Sequence, residues 1–349
     1  MKHLRLCGIL RTAAFLLIFS FLFNSAAGIL RSKNYASASA AFYEEPEGTV
    51  DVLLMGSSHM LNAVSPVQLW AEYGIASSNL AQNGQVLPVT YYALQEALRY
   101  QKPELVVLDV YKVVQDSLID SKASLHYTLD NMSFGLPKLR AVFDLLEPED
   151  RAEYLLDIIL YHTRWKELTE EDFQKPDTIE KGAQALFTTA RPYEGWTVLP
   201  ESETAPPAEV EIAYLERIVE LCRQEGIELL LTAAPFTTPE DDDLNRQAAV
   251  NAVTGYAETW GVPFVNLMHR TEEMDFDFST DMADTYHVNW RGMEKVTAWL
   301  GDYLEGHYSL PDHRGEASYS RWDEAVPVWR DWMASQLAAA GAEAGTGAK

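Results

Sequence analysis

The chain has 349 residues, enough for one large domain or two small ones. Its 27 Lys+Arg against 52 Asp+Glu give a formal net charge of −25, and five of the basic residues but none of the acidic ones fall in residues 1–33, so residues 34–349 stand at −30. That balance argues against nucleic acid as a partner, the 47% hydrophobic fraction excludes disorder of the bulk, and two cysteines (Cys7 and Cys222) exclude a disulfide framework.

Residues 12–30 (TAAFLLIFSFLFNSAAGIL) are an uncharged apolar run of nineteen, long enough to cross a bilayer as a helix. Lys2, Arg5 and Arg11 precede it, which predicts a cytoplasmic N-terminus of residues 1–11 and a body outside. Arg31 and Lys33 weaken that bias without reversing it. The run also fits a signal peptide, with an apolar core at 13–23 and Ser25-Ala26-Ala27 as a cleavage candidate. Anchor or leader, it puts the body outside the cytoplasm. Residues 31–48 are small and polar and predict a linker.

The body, 49–334, alternates strands and helices. Residues 49–55 (TVDVLLM) are a buried strand stopped by Gly56. A helix follows at 66–73, with Ser65 as its cap and Pro66 at its first position. An extended piece at 76–80 leads to the Asn83-Gly84 turn, then a helix at 89–100 and a strand at 104–110 (ELVVLDV). Residues 113–205 break the pattern, with helical stretches near 137–147 and 148–168, and predict an insertion or cap. Order returns with helix 208–224, strand 227–233, helix 244–260, strand 262–266 and helix 290–305. Trp322, Trp329 and Trp332 suit a further helix packed on the body, and residues 335–349 are Ala/Gly-rich and predict a frayed tail. Uninterrupted Val/Leu/Ile strands between helices predict a parallel sheet covered on both faces. Its functional crevice lies beyond the carboxyl ends of the strands.

Three segments fall at those ends. Gly56-Ser57-Ser58-His59 follows the first strand, where a serine hydroxyl can reach the crevice beside backbone N–H groups, although Gly and Ser also crowd ordinary turns. No Gly-x-Ser-x-Gly is present, so an α/β-hydrolase elbow is not supported. Asp284-Thr285-Tyr286-His287-Val288-Asn289 precedes the last helix. A serine nucleophile needs a base and a carboxylate to hold it, and this segment carries both three residues apart. It also reads as a surface loop with Asn289 as a helix cap. Asp275, Asp277 and Asp281 lack the glycine and glutamate of a calcium loop, so no metal is expected. Asn79 to Gln85 follows the second strand and brings its amides toward Ser58.

Together the segments VDVLLMGSSHMLNAVSP, YGIASSNLAQNGQ, KPELVVLDVYK and DTYHVNWRGMEKVTAWLGDYL resemble the SGNH/GDSL hydrolase superfamily. The likeness is to an extracytoplasmic branch found in Gram-positive bacteria, similar to the D-alanyl transfer protein of teichoic-acid modification and to alginate O-acetylation proteins. It covers residues 50–112 and 227–305. The resemblance implies a flavodoxin-like α/β/α fold with Ser58 as nucleophile, His287 as general base, Asp284 as its orienting carboxylate and Gly84 N–H as an oxyanion donor. Ser58 N–H and the side chain of Asn83 or Gln85 are further donor candidates, and His59, Gln85 and Tyr111 are candidates for the surrounding shell. Two departures stand out. Ser57 replaces the usual aspartate of the first block, and the third block reads Leu108-Asp109-Val110-Tyr111-Lys112 without its Asn. An aspartate facing an oxyanion would repel it, so Asp109 is assigned a structural role.

The expected function is acyl transfer to a cell-envelope glycan or to water, without a cofactor. A membrane-bound O-acyltransferase is the expected partner. The other reading is an envelope-assembly or glycan-binding scaffold that keeps the fold and has lost turnover.

Overall fold

The computed structural model describes residues 2–33, 35–114, 116–156, 158–189, 197–237 and 241–346, and the side chains of 2–7, 241–243 and 342–346 stay outside the description. The chain opens with helix α1 (Lys2–Leu30), whose Gly8–Leu30 portion contains an 18-residue stretch of mean hydropathy 2.1 and is long and apolar enough to cross a membrane. Helix α2 (Ser37–Glu44) follows, where the sequence predicts a linker. Ala38, Ala41 and Phe42 recur at helical spacing and bury against the sheet, so this segment belongs to the core.

The body then runs β1 (Val52–Met55), α3 (Ser58–Ala63), α4 (Pro66–Tyr73), β2 (Ser77–Asn79), α5 (Leu87–Ala97) and β3 (Leu105–Asp109). The 113–205 segment holds α6 (Lys122–Leu129), α7 (Leu136–Leu145), α8 (Arg151–Leu155) and α9 (Ile158–Tyr161). Two 3-10 turns follow, His162–Lys166 and Glu170–Phe173. The helix expected over 148–168 is therefore broken into short pieces. The rest is α10 (Glu209–Glu225), β4 (Glu228–Ala233), α11 (Asp241–Trp260), β5 (Phe264–Asn266), α12 (Trp290–His307) and α13 (Ser320–Thr346). The acidic run 240–243 predicts a cap for α11; Glu240 and the side chains of 241–243 lie outside the described residues.

All five strands are parallel, in the order β2-β1-β3-β4-β5. That is the doubly wound, flavodoxin-like order, with its switch point between β1 and β3. Side chains alternate across the sheet. Leu53, Met55, Val106, Leu108, Leu229 and Leu231 join one core with α5, α10 and α11. Val52, Leu54, Leu105, Val107 and Leu230 join the other with α3, α4 and α12. This is the three-layer α/β/α architecture.

Helix α13 closes the second face. Trp322 stacks on Trp70 of α4 at 5.5 Å between ring centroids, Trp70 Nε1 donates to Asp323 at 3.1 Å, and Trp332 meets Phe187 edge-on. It also corrects the frayed tail: residues 335–346 continue the helix, because alanine is the strongest helix former and the docked half supplies the nucleus.

Candidate active site

The site is built where β1 and β3 end. The chain leaves β1 through Gly56 at φ +138°, and a Cβ there would stand 3.0 Å from both the Cβ and the carbonyl oxygen of Asp109. Only glycine fits that approach. Ser57 then caps α3, its Oγ accepting from His59 N–H at 3.4 Å, and Ser58 takes the first helical position. A first-turn N–H has no acceptor within its own helix, so Ser58 N–H is left for another partner.

Residues 281–289 are pinned from both sides. Ala283 N–H donates to His287 C=O and Asn289 N–H to Asp281 C=O, both at 2.8 Å. Asn289 caps α12, its Oδ1 accepting from Arg291 and Gly292 N–H. From the β4 side, Thr237 N–H and Oγ1 donate to Thr285 C=O at 3.0 and 2.5 Å. The sequence offered a cap or a base in this segment; Asn289 is the cap, and His287 stands in the loop that leads to it.

The two segments meet across 229 residues of chain. Ser58 Oγ lies 2.8 Å from His287 Nε2, and His287 Nδ1 lies 3.0 and 2.9 Å from the two oxygens of Asp284. Asp284 Oδ1 also accepts from Tyr286 and His287 N–H at 2.7 and 2.9 Å. Burial acts to raise the Asp284 carboxyl, but the His287 side-chain bond and these backbone bonds outweigh it and hold its pKa below the ordinary value. A carboxylate on Nδ1 assigns the proton to that nitrogen, which leaves Nε2 to accept from the Ser58 hydroxyl. Ser58 is buried while the Asp284 side chain is 52% exposed, so the network runs from the interior to solvent.

Behind this chain sits an aromatic stack. His59 lies flat on Tyr111 at 3.3 Å, meets Phe236 edge-on and stands 5.5 Å from the His287 ring. Burial, reinforced by the charges of His287, Arg246 and Lys112, pushes the His59 pKa well below its ordinary value. Its two ring nitrogens are buried without a hydrogen-bond partner, so it serves as a neutral aromatic wall. The Arg246 guanidinium lies 4.6 Å from the Tyr111 ring. Phe236 and Arg246 were missed in the sequence; for Phe236 the available signal was the loop after β4, one of the strand ends facing the crevice, whereas Arg246 comes from α11.

Asn83 and Gly84 form the tip of a turn closed by Gln85 N–H on Gln82 C=O, with Gly84 at φ +68°. A Cβ on Gly84 would meet Ser124 and Asp120 of the insertion. Gln85 is buried, and its side chain donates to Thr90 at 3.0 Å and accepts from Thr128 at 2.8 Å. Hydroxyls of α5 and α6 thus engage both ends of the amide that the sequence offered as an oxyanion donor. Asp109 is buried between two N–H donors, Tyr111 at 3.0 Å and Ala234 at 2.8 Å, and joins the ends of β3 and β4 as a structural group.

A cavity of about 380 Å³, within the size range of ligand pockets, is lined by Tyr35, Leu61, Gln82, Glu180 and Gln184 among others. Leu61 stands one turn along α3 from Ser58, on the same side of the helix. Among the described residues no group of three or more His, Cys, Asp or Glu could hold a metal ion.

No family model and no curated protein matches the chain. Among solved structures it is similar to one described as an acylhydrolase from Bacteroides fragilis, at 12% identity over 76% of this chain and 92% of the other, with a TM-score of 0.38. A GDSL-like lipase from Bacteroides thetaiotaomicron gives 12% identity over 73% and 87%, with a TM-score of 0.36. An acetyl xylan esterase from Butyrivibrio proteoclasticus gives 9% identity over 75% and 65%, with a TM-score of 0.29. Likeness at this level decides neither activity nor substrate, which rest on the site itself.

Proposed function

We propose that the chain is an extracytoplasmic serine acyl-transfer enzyme of the SGNH type, held at the membrane by α1. One observation carries the reading: the Ser58–His287–Asp284 hydrogen-bond chain, with its nucleophile, base and orienting carboxylate in the required order. His287 Nε2 takes the Ser58 proton as Oγ attacks an ester carbonyl. Ser58 N–H, with Gly84 N–H and the Asn83 side chain as further candidates, faces the oxyanion. The imidazolium then protonates the departing alcohol, leaving an acyl-serine. A glycan hydroxyl or water, deprotonated by His287, attacks that ester and restores the enzyme. Asp284 favours the imidazolium throughout and keeps Nδ1 protonated.

The acceptor is proposed to be a neutral cell-envelope polysaccharide, with a membrane-bound O-acyltransferase delivering the acyl group. Residues 34–349 at −30 repel a polyanionic acceptor, though salt confines that effect to about 8–10 Å. The contrasting reading, a scaffold without turnover, draws on Asp109, which offers no amide donor where the family pattern has one.

Ser58→Ala separates them. The enzyme reading expects p-nitrophenyl acetate hydrolysis to fall on the order of 10³-fold or more and envelope O-acetylation to disappear. If the variant leaves both unchanged, the reading is wrong.

A further inference from the structure

The insertion leaves apolar side chains uncovered around one end of α1. Leu156 is 49% exposed, Ile159 47%, Trp165 65% and Phe173 65%. Singly such residues need no explanation. Here they follow one another from the end of α8 through α9 and the turns His162–Lys166 and Glu170–Phe173, and α9 and both turns pack against α1. The join is at the last two turns of α1. Ala27 is buried and Phe23 and residues 28–30 are half-buried, while residues 8–22 are exposed. Arg164 donates to Leu30 C=O at 2.7 Å and pairs with Asp172 at 2.7 Å.

Lengths set the depth of that join. At the helical rise the uncharged run 12–30 is about 28 Å long, close to the ~30 Å of a bilayer's hydrocarbon core. The exposed stretch 8–22 is about 22 Å and includes Arg11, so it falls short alone. Seating the whole run in the bilayer brings residues 23–30, and whatever packs around them, to the outer boundary.

We propose that Leu156 and residues 158–173 form an apolar collar that seats the body on the outer leaflet around α1. The collar's occupant is lipid, because its surface continues that of a helix apolar enough to span. Trp165, with Lys166 Nζ 5.6 Å from its ring centroid, is the amphipathic pairing that suits a membrane–water boundary. Glu167, Glu170 and Glu171 are exposed on the same turns and stay at headgroup level, which limits the depth. The inference rests on α1 being an uncleaved anchor and adds an orientation. Tyr35, which lines the cavity beside α3, is five residues past Leu30 and so within about 18 Å of the boundary.

The test uses the full-length chain in phosphatidylcholine vesicles, with and without bromine on the upper acyl chain, read by tryptophan fluorescence. α1 has no tryptophan, so quenching reports on the body. Brominated lipid is expected to quench part of the emission, Trp165→Phe to remove most of that loss, and Phe173→Trp in the same background to restore it. Equal quenching in wild type and Trp165→Phe overturns the collar, as does an absence of quenching in protein that floats with the vesicles. Protein that does not float overturns the anchor itself, and the collar with it.

Discussion

At the residue scale, the hydrogen-bond chain from Ser58 to Asp284 divides labour by exposure. Ser58 is buried against the sheet, His287 bridges, and Asp284 is half in solvent but tied by two backbone N–H groups. Asp284→Asn presents an amide that cannot favour the imidazolium. Turnover is expected to fall on the order of 10²–10⁴-fold with unfolding stability nearly unchanged, because the side chain buries little. Steady-state kinetics and a denaturant melt on one preparation check both halves; a loss of stability would make Asp284 a structural residue. His59 illustrates the opposite case. Two unpartnered nitrogens in the interior carry a desolvation cost, and the Tyr111 and Phe236 rings offset it by packing.

At the element scale, α5 begins without a side-chain cap of its own, and Glu211 of α10 supplies one by accepting from Leu87 N–H at 2.9 Å. Burial pushes the Glu211 carboxyl up to about 8, although the Leu87 bond pulls the other way. Burial likewise raises Glu180 to about 8, Asp109 to about 7 and Asp51 to about 6. In the folded chain these groups hold protons that an unfolded carboxyl releases above ~4. Their contribution to stability is therefore full below ~4 and is lost as pH rises through about 6–8. Melting temperature is expected to fall between pH 5 and pH 8, and Glu211→Gln to flatten the slope. A slope the same in both proteins would show that Glu211 titrates normally.

The central strands β1, β3 and β4 read well from the sequence at this scale, because each is a short Val/Leu-rich run, whereas β2 is only Ser-Ser-Asn. The Ser58 segment was legible for the same reason, since it sits where the β1 run stops, and Asp284–His287 because it leads directly into the capped start of α12. Residues 31–48 were not, since small residues describe a linker and a close-packed helix equally well. The α11 and insertion contributions, Arg246 over Tyr111 and Ser124 against Gly84, depend on long-range docking that no local pattern encodes.

At the scale of the whole molecule, the end of α1 is built into the body. Ala27 is buried, Lys33 Nζ donates to Gly28 C=O at 2.6 Å, and Arg164 holds Leu30 C=O. Cleavage after Ala27 would remove all but the last turn of the helix and uncover the surface that buries Ala27, leaving Gly28 and Leu30 with their partners. Intact mass of the mature protein is expected to include residues 1–27; a mass lacking them would establish a secreted form instead.

The separation of Ser58 from His287 also has a temporal meaning. Ribosomes add about 5–20 residues per second, so the 229 residues between the two take about 10–45 s to appear. Throughout that interval the growing chain carries a serine with no base beside it. On the proposed reading, the nascent protein is chemically silent until α12 docks, and its first turnover reports that the start of α12 has met the end of β1.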